Sequence, residues 1–203
     1  MDRIARAVVY AAQCHAGQFR KGTTIPYIVH PCAVALRLQR YGAEEDVIIA
    51  GLLHDVVEDA GVALEDLRRE FGDRVAELVA KVSEQKRSVE GEIPWETRKR
   101  DALARLQVAG ASAALIKAAD VVDNIWTVCT DLERDGEGVW TRFKRGRESQ
   151  LRLYRQTLDV CREILGDHPI IQEFETAVHR LEQVAHLSSG DRQPSTEARS
   201  LKR

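Results

Sequence analysis

The chain is poor in helix breakers: 13 glycines and 5 prolines in 203 residues leave room for long helices. Convincing apolar/polar alternation of the kind that makes strands is absent, and so is any internal repeat. The four cysteines, Cys14, Cys32, Cys129 and Cys161, are scattered, without the close pairs of zinc ribbons or redox motifs. They read as reduced, mostly buried thiols of a cytoplasmic protein. No run approaches the roughly 20 apolar residues that span a bilayer, so no membrane segment is expected. The N-terminus, MDRIARAVVYAAQ, mixes charges among its apolar residues and lacks both an apolar h-region and a cleavage site, which excludes a signal peptide. Excess positive charge is missing too. The formal net charge of −2 argues against a nucleic-acid surface while leaving room for a local basic pocket.

What is present is an ordinary globular composition, 44% apolar and 31% charged, in a length that suits one domain. Helical periodicity dominates. Ile4, Val8, Ala11 and Ala12 form one stripe, and Val34, Leu36 and Leu38 continue a second helix after the turn at IPYIVHP. Segments near 45–58, 64–70, 73–84, 94–109, 112–133, 139–165 and 169–187 read the same way, so the fold class is all-α. Gly42, Gly61, Gly72, Gly110 and Gly166 fall where helices should stop, and Pro94 and Pro169 where they should start. Residues 86–93, KRSVEGEI, read as an exposed loop. Residues 1–187 make one domain, and 188–203, small and polar, read as a disordered tail.

The stretch GLLHDVVED (51–59) puts His54 and Asp55 side by side in an apolar segment, followed one turn later by Glu58 and Asp59. Polar groups in a core-facing helix cost free energy unless something pairs with them, and a metal ion is the first partner to consider. In a continuous helix His54 stacks with Glu58, and Asp55 with Asp59. An imidazole and carboxylate set suits manganese, iron or zinc better than a thiolate-preferring ion. Two adjacent residues cannot complete a site. His30, at a helix entrance in YIVHP, and Asp120, interrupting the apolar helix LIKAADVVDN, are the candidates for the remaining ligands. Taken singly, they read as a capping residue and a buried hydrogen-bonded acid; occurring together with His54 and Asp55, they favour a metal site.

The set His30, His54–Asp55, Asp120 resembles the H…HD…D pattern of the HD-domain phosphohydrolases. Within them the chain is most similar to the hydrolase domain of RelA/SpoT-type alarmone enzymes and to the small alarmone hydrolases. HAGQFRKGTTIPYIVHP (15–31), AGLLHDVVED (50–59), FGDRVAELVAKVSEQK (71–86) and LIKAADVVDN (115–124) carry the resemblance, which covers roughly residues 3–158. It implies a helical bundle, one divalent ion, commonly Mn²⁺, and removal of the 3′-pyrophosphate of ppGpp or pppGpp. It further implies that His30, His54, Asp55 and Asp120 are the metal ligands and that Glu58 and Asp59 are the acidic pair that orients or deprotonates the attacking water. Arg20, Lys21, Lys86 and Asn124 match the family's substrate-binding positions. Nothing resembling a synthetase domain follows within the 203 residues, so alarmone synthesis is not expected.

The chain departs from the small hydrolases in three places: SEQK (83–86) stands where they have a TDDK-like segment, the loop before PWETRKR is longer, and IWTVCTDL follows Asn124. These lie where base and distal phosphate would be recognised. Two other readings therefore stand beside alarmone hydrolysis: a phosphohydrolase of another nucleotide, and a nucleotide-sensing module without turnover.

Among the remaining residues, Arg98, Lys99 and Arg100 read equally as a grip on distal phosphates or as a solvated helix face. Trp126, Trp140 and Tyr154 suit core or interface better than a base pocket, and a face carrying the two tryptophans would support a homo-oligomer. His15 is placed to position the Arg20–Lys21 loop. His168, His179 and His186 read as surface or packing residues.

Overall fold

The first helix starts where the sequence supplies a cap: Asp2 Oδ1 accepts the Ala5 N–H at 2.7 Å, and α1 (Arg3–Cys14) follows. In the computed structural model, which describes residues 2–88 and 91–190, a loop containing the Phe19–Pro26 bridge leads into α2 (Val29–Arg40). Next come α3 (Glu45–Leu53), α4 (Val56–Ala60), α5 (Leu64–Phe71) and α6 (Asp73–Val82). After a two-residue antiparallel pairing of β1 (Arg87–Ser88) with β2 (Gly91–Glu92), the chain continues through α7 (Trp95–Ala109) and α8 (Ala111–Asp135). A 3₁₀ segment, Gly136–Arg142, then precedes α9 (Gly146–Leu165) and α10 (Pro169–Gly190). The fold is all-α. Gly42, Gly61, Gly72, Gly110 and Gly166 all carry positive φ just past helix ends, while Pro94 caps α7 and Pro169 opens α10.

Two helices organise the core. Seven of the nine residues of α3 are buried, as expected of a helix that is apolar all round. The long α8 packs against α2, α3, α6, α7, α9 and α10. Helices α2 and α3 cross closely at Gly51, where a Cβ would collide with Leu38 Cδ1 unless that buried side chain shifted.

Several local expectations change. The segment 45–58 is not one helix: it breaks at His54 and Asp55, and α4 begins anew with the Asp55 backbone carbonyl accepting the Asp59 N–H at 2.8 Å. The segment 139–165 is likewise a 3₁₀ stretch followed by α9. Ala12 is exposed, and so is Leu36 at 66%, because positions i and i+2 of a helix cannot share a face with Val34 and Leu38. Cys129 and Cys161 are buried, whereas Cys14 and Cys32 are half-buried; all four are free thiols. Burial pushes Cys129 up to about 11 and Cys161 up to about 12, which keeps both protonated at neutral pH. Of the tail expected over 188–203, residues 188–190 belong to α10 and 191–203 lie outside the described residues. No helix among the described residues is long and apolar enough to cross a membrane.

Candidate metal centre

Helix α2 brings His30, the α3–α4 break brings His54 and Asp55, and α8 brings Asp120 to one place. His30, His54 and Asp55 each offer a ligand atom, and these atoms lie within 4.8 Å of one another. His54 Nε2 is 3.0 Å from Asp55 Oδ2, and His30 Nε2 is 3.7 Å from the same oxygen. Asp120 Oδ1 stands beside them, 3.3 Å from His30 Nε2 and 3.8 Å from His54 Nε2. Unlike the other three, Asp120 is engaged on both oxygens: Oδ1 accepts from Asn124 Nδ2 at 2.6 Å and Oδ2 from Lys117 Nζ at 2.9 Å.

Both imidazoles are held from behind. His54 Nδ1 donates to the Gly51 carbonyl at 2.7 Å, and His30 Nδ1 donates to Asp123 Oδ2 at 2.7 Å. A carbonyl and a carboxylate only accept, so in the neutral rings the N–H is at Nδ1 and the lone pair is at Nε2. Two lone pairs and two carboxylates thus face one another in a site where both histidines are buried. Only a cation or added protons can make that arrangement stable. In keeping with this, His54 Nε2 is buried and has no hydrogen-bond partner, although Asp55 is close. Without a metal, protons supply the charge. Burial alone would lower the His54 pKa, but the Asp55 and Asp120 carboxylates outweigh it and hold it up at about 9. His30 is raised in the same way by Asp120 and Asp123 against its own burial. Asp55, opposed by burial, is held below the usual carboxylate range by His54, and Asp120 likewise, first by Lys117. The donor set, two imidazole nitrogens and carboxylate oxygens, fits a divalent ion of the manganese, iron or zinc kind.

The acidic pair lies alongside. Glu58 Oε2 accepts the Glu84 backbone N–H at 3.1 Å, and Glu58 Oε1 sits 3.0 Å from Lys86 Nζ. Asp59 Oδ1 accepts from Lys86 Nζ at 2.6 Å. The Tyr27 hydroxyl donates to Asp55 Oδ2 at 2.7 Å and reaches Asp59 Oδ2 at 3.4 Å, which ties the HD step to the acidic pair. Asp55 and Asp59 thus share a face, as expected; Glu58 turns instead toward the segment after α6.

Two cavities of about 290 Å³ each open beside Asn124, Phe143 and Tyr154. One is bounded by Lys117, Asp120, Glu84 and Lys99, the other by Arg20, Lys21, Tyr27, Thr127 and Arg142. Arg20 donates to Asn124 Oδ1 at 2.9 Å and to Thr127 Oγ1 at 3.3 Å, and Lys21 Nζ lies 5.9 Å from the centre of the Phe143 ring. Lys86, expected to meet phosphate, points in this structure at Glu58 and Asp59. Tyr154 is buried and lines both cavities, whereas Trp140 is buried within the chain and Trp126 packs against the core. His15 hydrogen-bonds Gln18 and stacks at 4.8 Å on Tyr27, so it does brace the Arg20–Lys21 loop.

Sequence reasoning passed over Tyr27, Lys117 and Asp123. Asp123 falls three residues after Asp120 on α8, and that i, i+3 spacing was the available signal.

A family model of the HD domain matches residues 7–150. The guanosine-3′,5′-bis(diphosphate) 3′-pyrophosphohydrolase of Aquifex aeolicus is 37% identical over 130 residues, 63% of this chain and 18% of that protein. The GTP pyrophosphokinase of Streptomyces coelicolor is 36% identical over 181 residues, 86% of this chain and 19% of that protein. The chain therefore spans about a fifth of the length of the curated relatives it matches. Among solved structures, a metazoan ortholog of SpoT that hydrolyzes ppGpp superposes with a TM-score of 0.73 at 27% identity, covering 89% of this chain and 96% of that one. HD domains bind a divalent metal, which agrees with the His30, His54 and Asp55 cluster. With the family model covering most of its length and His30, His54 and Asp55 in one cluster, the chain belongs to the HD domain family.

Proposed function

We propose that this chain is a cytoplasmic, metal-dependent phosphohydrolase that adds water across the 3′ phosphoester of ppGpp or pppGpp, releasing pyrophosphate and GDP or GTP. The observation that carries the proposal is the convergence of His30, His54 and Asp55 beside two cavities whose walls carry Lys117, Arg20 and Lys21. The names of the relatives support the substrate: one is a guanosine-3′,5′-bis(diphosphate) 3′-pyrophosphohydrolase, and the metazoan SpoT ortholog hydrolyzes ppGpp. The catalytic unit in this reading is residues 1–187.

His30, His54 and Asp55 would hold the ion, with Asp120 as fourth ligand once Lys117 and Asn124 yield an oxygen; Mn²⁺ is the proposed metal. Bound there, a divalent ion acidifies water and polarises a phosphoryl oxygen. Tyr27 fixes Asp55 in the orientation that offers Oδ2 to the centre. Glu58 takes the proton of the attacking water, held in place by the Glu84 N–H and Lys86. Asp59 shares Lys86, so the cation screens two carboxylates that would otherwise repel an anionic substrate. Arg20 and Lys21 face the second cavity, where a guanidinium can hold phosphate or stack on a purine and an ammonium acts as a compact charge. Asn124 stands between the cavities, with one end on Asp120 and the other on Arg20. It is therefore placed to report substrate contact to the metal side.

A nucleotide panel tests the proposal. Purified protein with Mn²⁺ is incubated with ppGpp, pppGpp and other nucleotide phosphates, and the products are resolved by anion exchange. GDP plus pyrophosphate from ppGpp is the expected result. Intact ppGpp beside cleavage of another nucleotide overturns the substrate assignment while keeping the chemistry; binding without turnover of any nucleotide overturns the enzyme.

A further inference from the structure

Helix α7 turns three of its cations, Arg98, Lys99 and Arg105, toward the residues after α6; Arg98 and Lys99 are half-buried there, whereas Arg105 is exposed, as is Arg100. The contact point is Glu84, whose side chain is only 9% exposed: Arg98 lies 2.8 Å from Oε1, and Lys99 Nζ is bonded to Oε2. Arg105 donates to the neighbouring Ser83 carbonyl at 3.4 Å. A carboxylate this deep in the fold has to sit where its counter-charges are, so α7 dictates the place of Glu84. The same residue faces the active centre through its backbone, because its N–H holds Glu58 Oε2 at 3.1 Å. Two residues on, Lys86 reaches Glu58 and Asp59. Residues 83–86 therefore form a short strap with one side fastened to α7 and the other to the acidic pair.

We propose that Lys99 and Arg98 are positioning residues for Glu58, acting through the Glu84 carboxylate on one side of the strap and the Glu84 N–H on the other. This rests on the reading of Glu58 as the group that takes the water's proton. It also gives the SEQK segment a specific job: the glutamate second in that segment is the anchor that lets a helix with no ligand to the ion set the aim of the catalytic base. A proton acceptor misplaced by a fraction of an ångström loses most of its advantage, so the strap acts on kcat and leaves substrate affinity alone.

The competing role for Lys99 follows from its place in the walls of both the cavity next to Asp120 and a larger groove of about 720 Å³ between α7 and α9. A direct grip on a phosphate from there would appear in KM.

The test uses the full chain. Lys99→Met, Lys99→Arg and Glu58→Gln, with the Lys99→Met/Glu58→Gln double variant, are compared in Mn²⁺-supported hydrolysis of ppGpp. Hydrogen exchange of the amides of residues 83–86 is followed in the metal-free proteins, and thermal melting checks that each is folded. Lys99→Met should lower kcat about tenfold with KM changed by no more than about twofold, and Lys99→Arg should restore most of it. In the Glu58→Gln background the same substitution should cost no more than about twofold, because the group being positioned is already gone. Amide exchange at Glu84 should speed up in Lys99→Met and stay slow in Lys99→Arg. A rise in KM with kcat intact, or full additivity with Glu58→Gln, overturns the proposal, as does unchanged exchange at Glu84. If no variant, nor the parent, cleaves ppGpp, the substrate reading fails, and the exchange measurement alone upholds or overturns the strap.

Discussion

His30 Nδ1 lies 2.7 Å from Asp123 Oδ2, so a residue of α8 sets the direction of a ring carried by α2. Asp123 is itself held within 3.9 Å of Arg20 and 3.7 Å of Arg37, and Arg37 continues to Glu173 on α10 at 3.0 Å. The orientation of one nitrogen of the candidate metal centre is thus tied to three other elements.

Asp123→Asn keeps the shape and removes the charge that makes His30 Nε2 a better donor. Loss of such a partner behind a ligating histidine typically costs about 10- to 100-fold in metal affinity. Calorimetric titration with Mn²⁺ should show that drop with the fold intact; equal affinity for both proteins would remove Asp123 from the account.

A metal held by His54 should compete with the proton on that ring. Its pKa in the metal-free fold is raised to about 9, above the ordinary value of 6.5, so the proton's contribution to stability is complete below pH 6.5 and lost as pH rises through 9. Metal-free protein should therefore lose stability between pH 6.5 and 9, while metal-loaded protein, whose charge balance no longer needs that proton, should lose less. The difference in Tm with and without chelator should widen with rising pH across this window. Metal uptake should release protons from His54 and from His30, whose pKa is raised as well, read as a total from binding heats in buffers of different ionisation enthalpy. A difference in Tm that stays flat or narrows would show that His54 is not the competing site.

Gly51 joins fold to site, since its missing side chain admits Leu38 and its carbonyl aims His54. Gly51→Ala should overpack the crossing of α2 and α3 at a cost of about 1–3 kcal/mol, offset by up to ~1 kcal/mol from the better helix propensity of alanine. Denaturant unfolding should show the net loss, and Leu38→Val in the same chain should recover part of it. A variant as stable as the parent would mean that the crossing relaxes freely.

Much of this was legible in the sequence. His54–Asp55 and Asp120 stand out because each interrupts an apolar helical pattern, where a polar group needs a partner, and His30 stands out at a helix entrance in company with them. The helix ends were legible through Gly61, Gly110, Pro94 and Pro169, whose backbone preferences are local. The break at His54 was not: periodicity runs on through 45–58, and what stops the helix is a side chain turning back to the Gly51 carbonyl. Asp123 left only its i, i+3 spacing from Asp120 as a signal, since its partner lies 93 residues away in sequence. Arg98 and Lys99 could be read as phosphate ligands or as a solvated face, because their common partner, Glu84, sits across a loop whose path the sequence does not specify.

The most direct test loads the protein with Mn²⁺ in steps and, in the same samples, measures the bound ion by electron paramagnetic resonance and GDP release from ppGpp, with Asp55→Ala alongside. One ion per chain, turnover that rises in proportion to occupancy, and loss of both in Asp55→Ala are the expected results. Full occupancy with ppGpp left intact, or turnover that survives Asp55→Ala, would contradict the proposed metal-dependent hydrolysis.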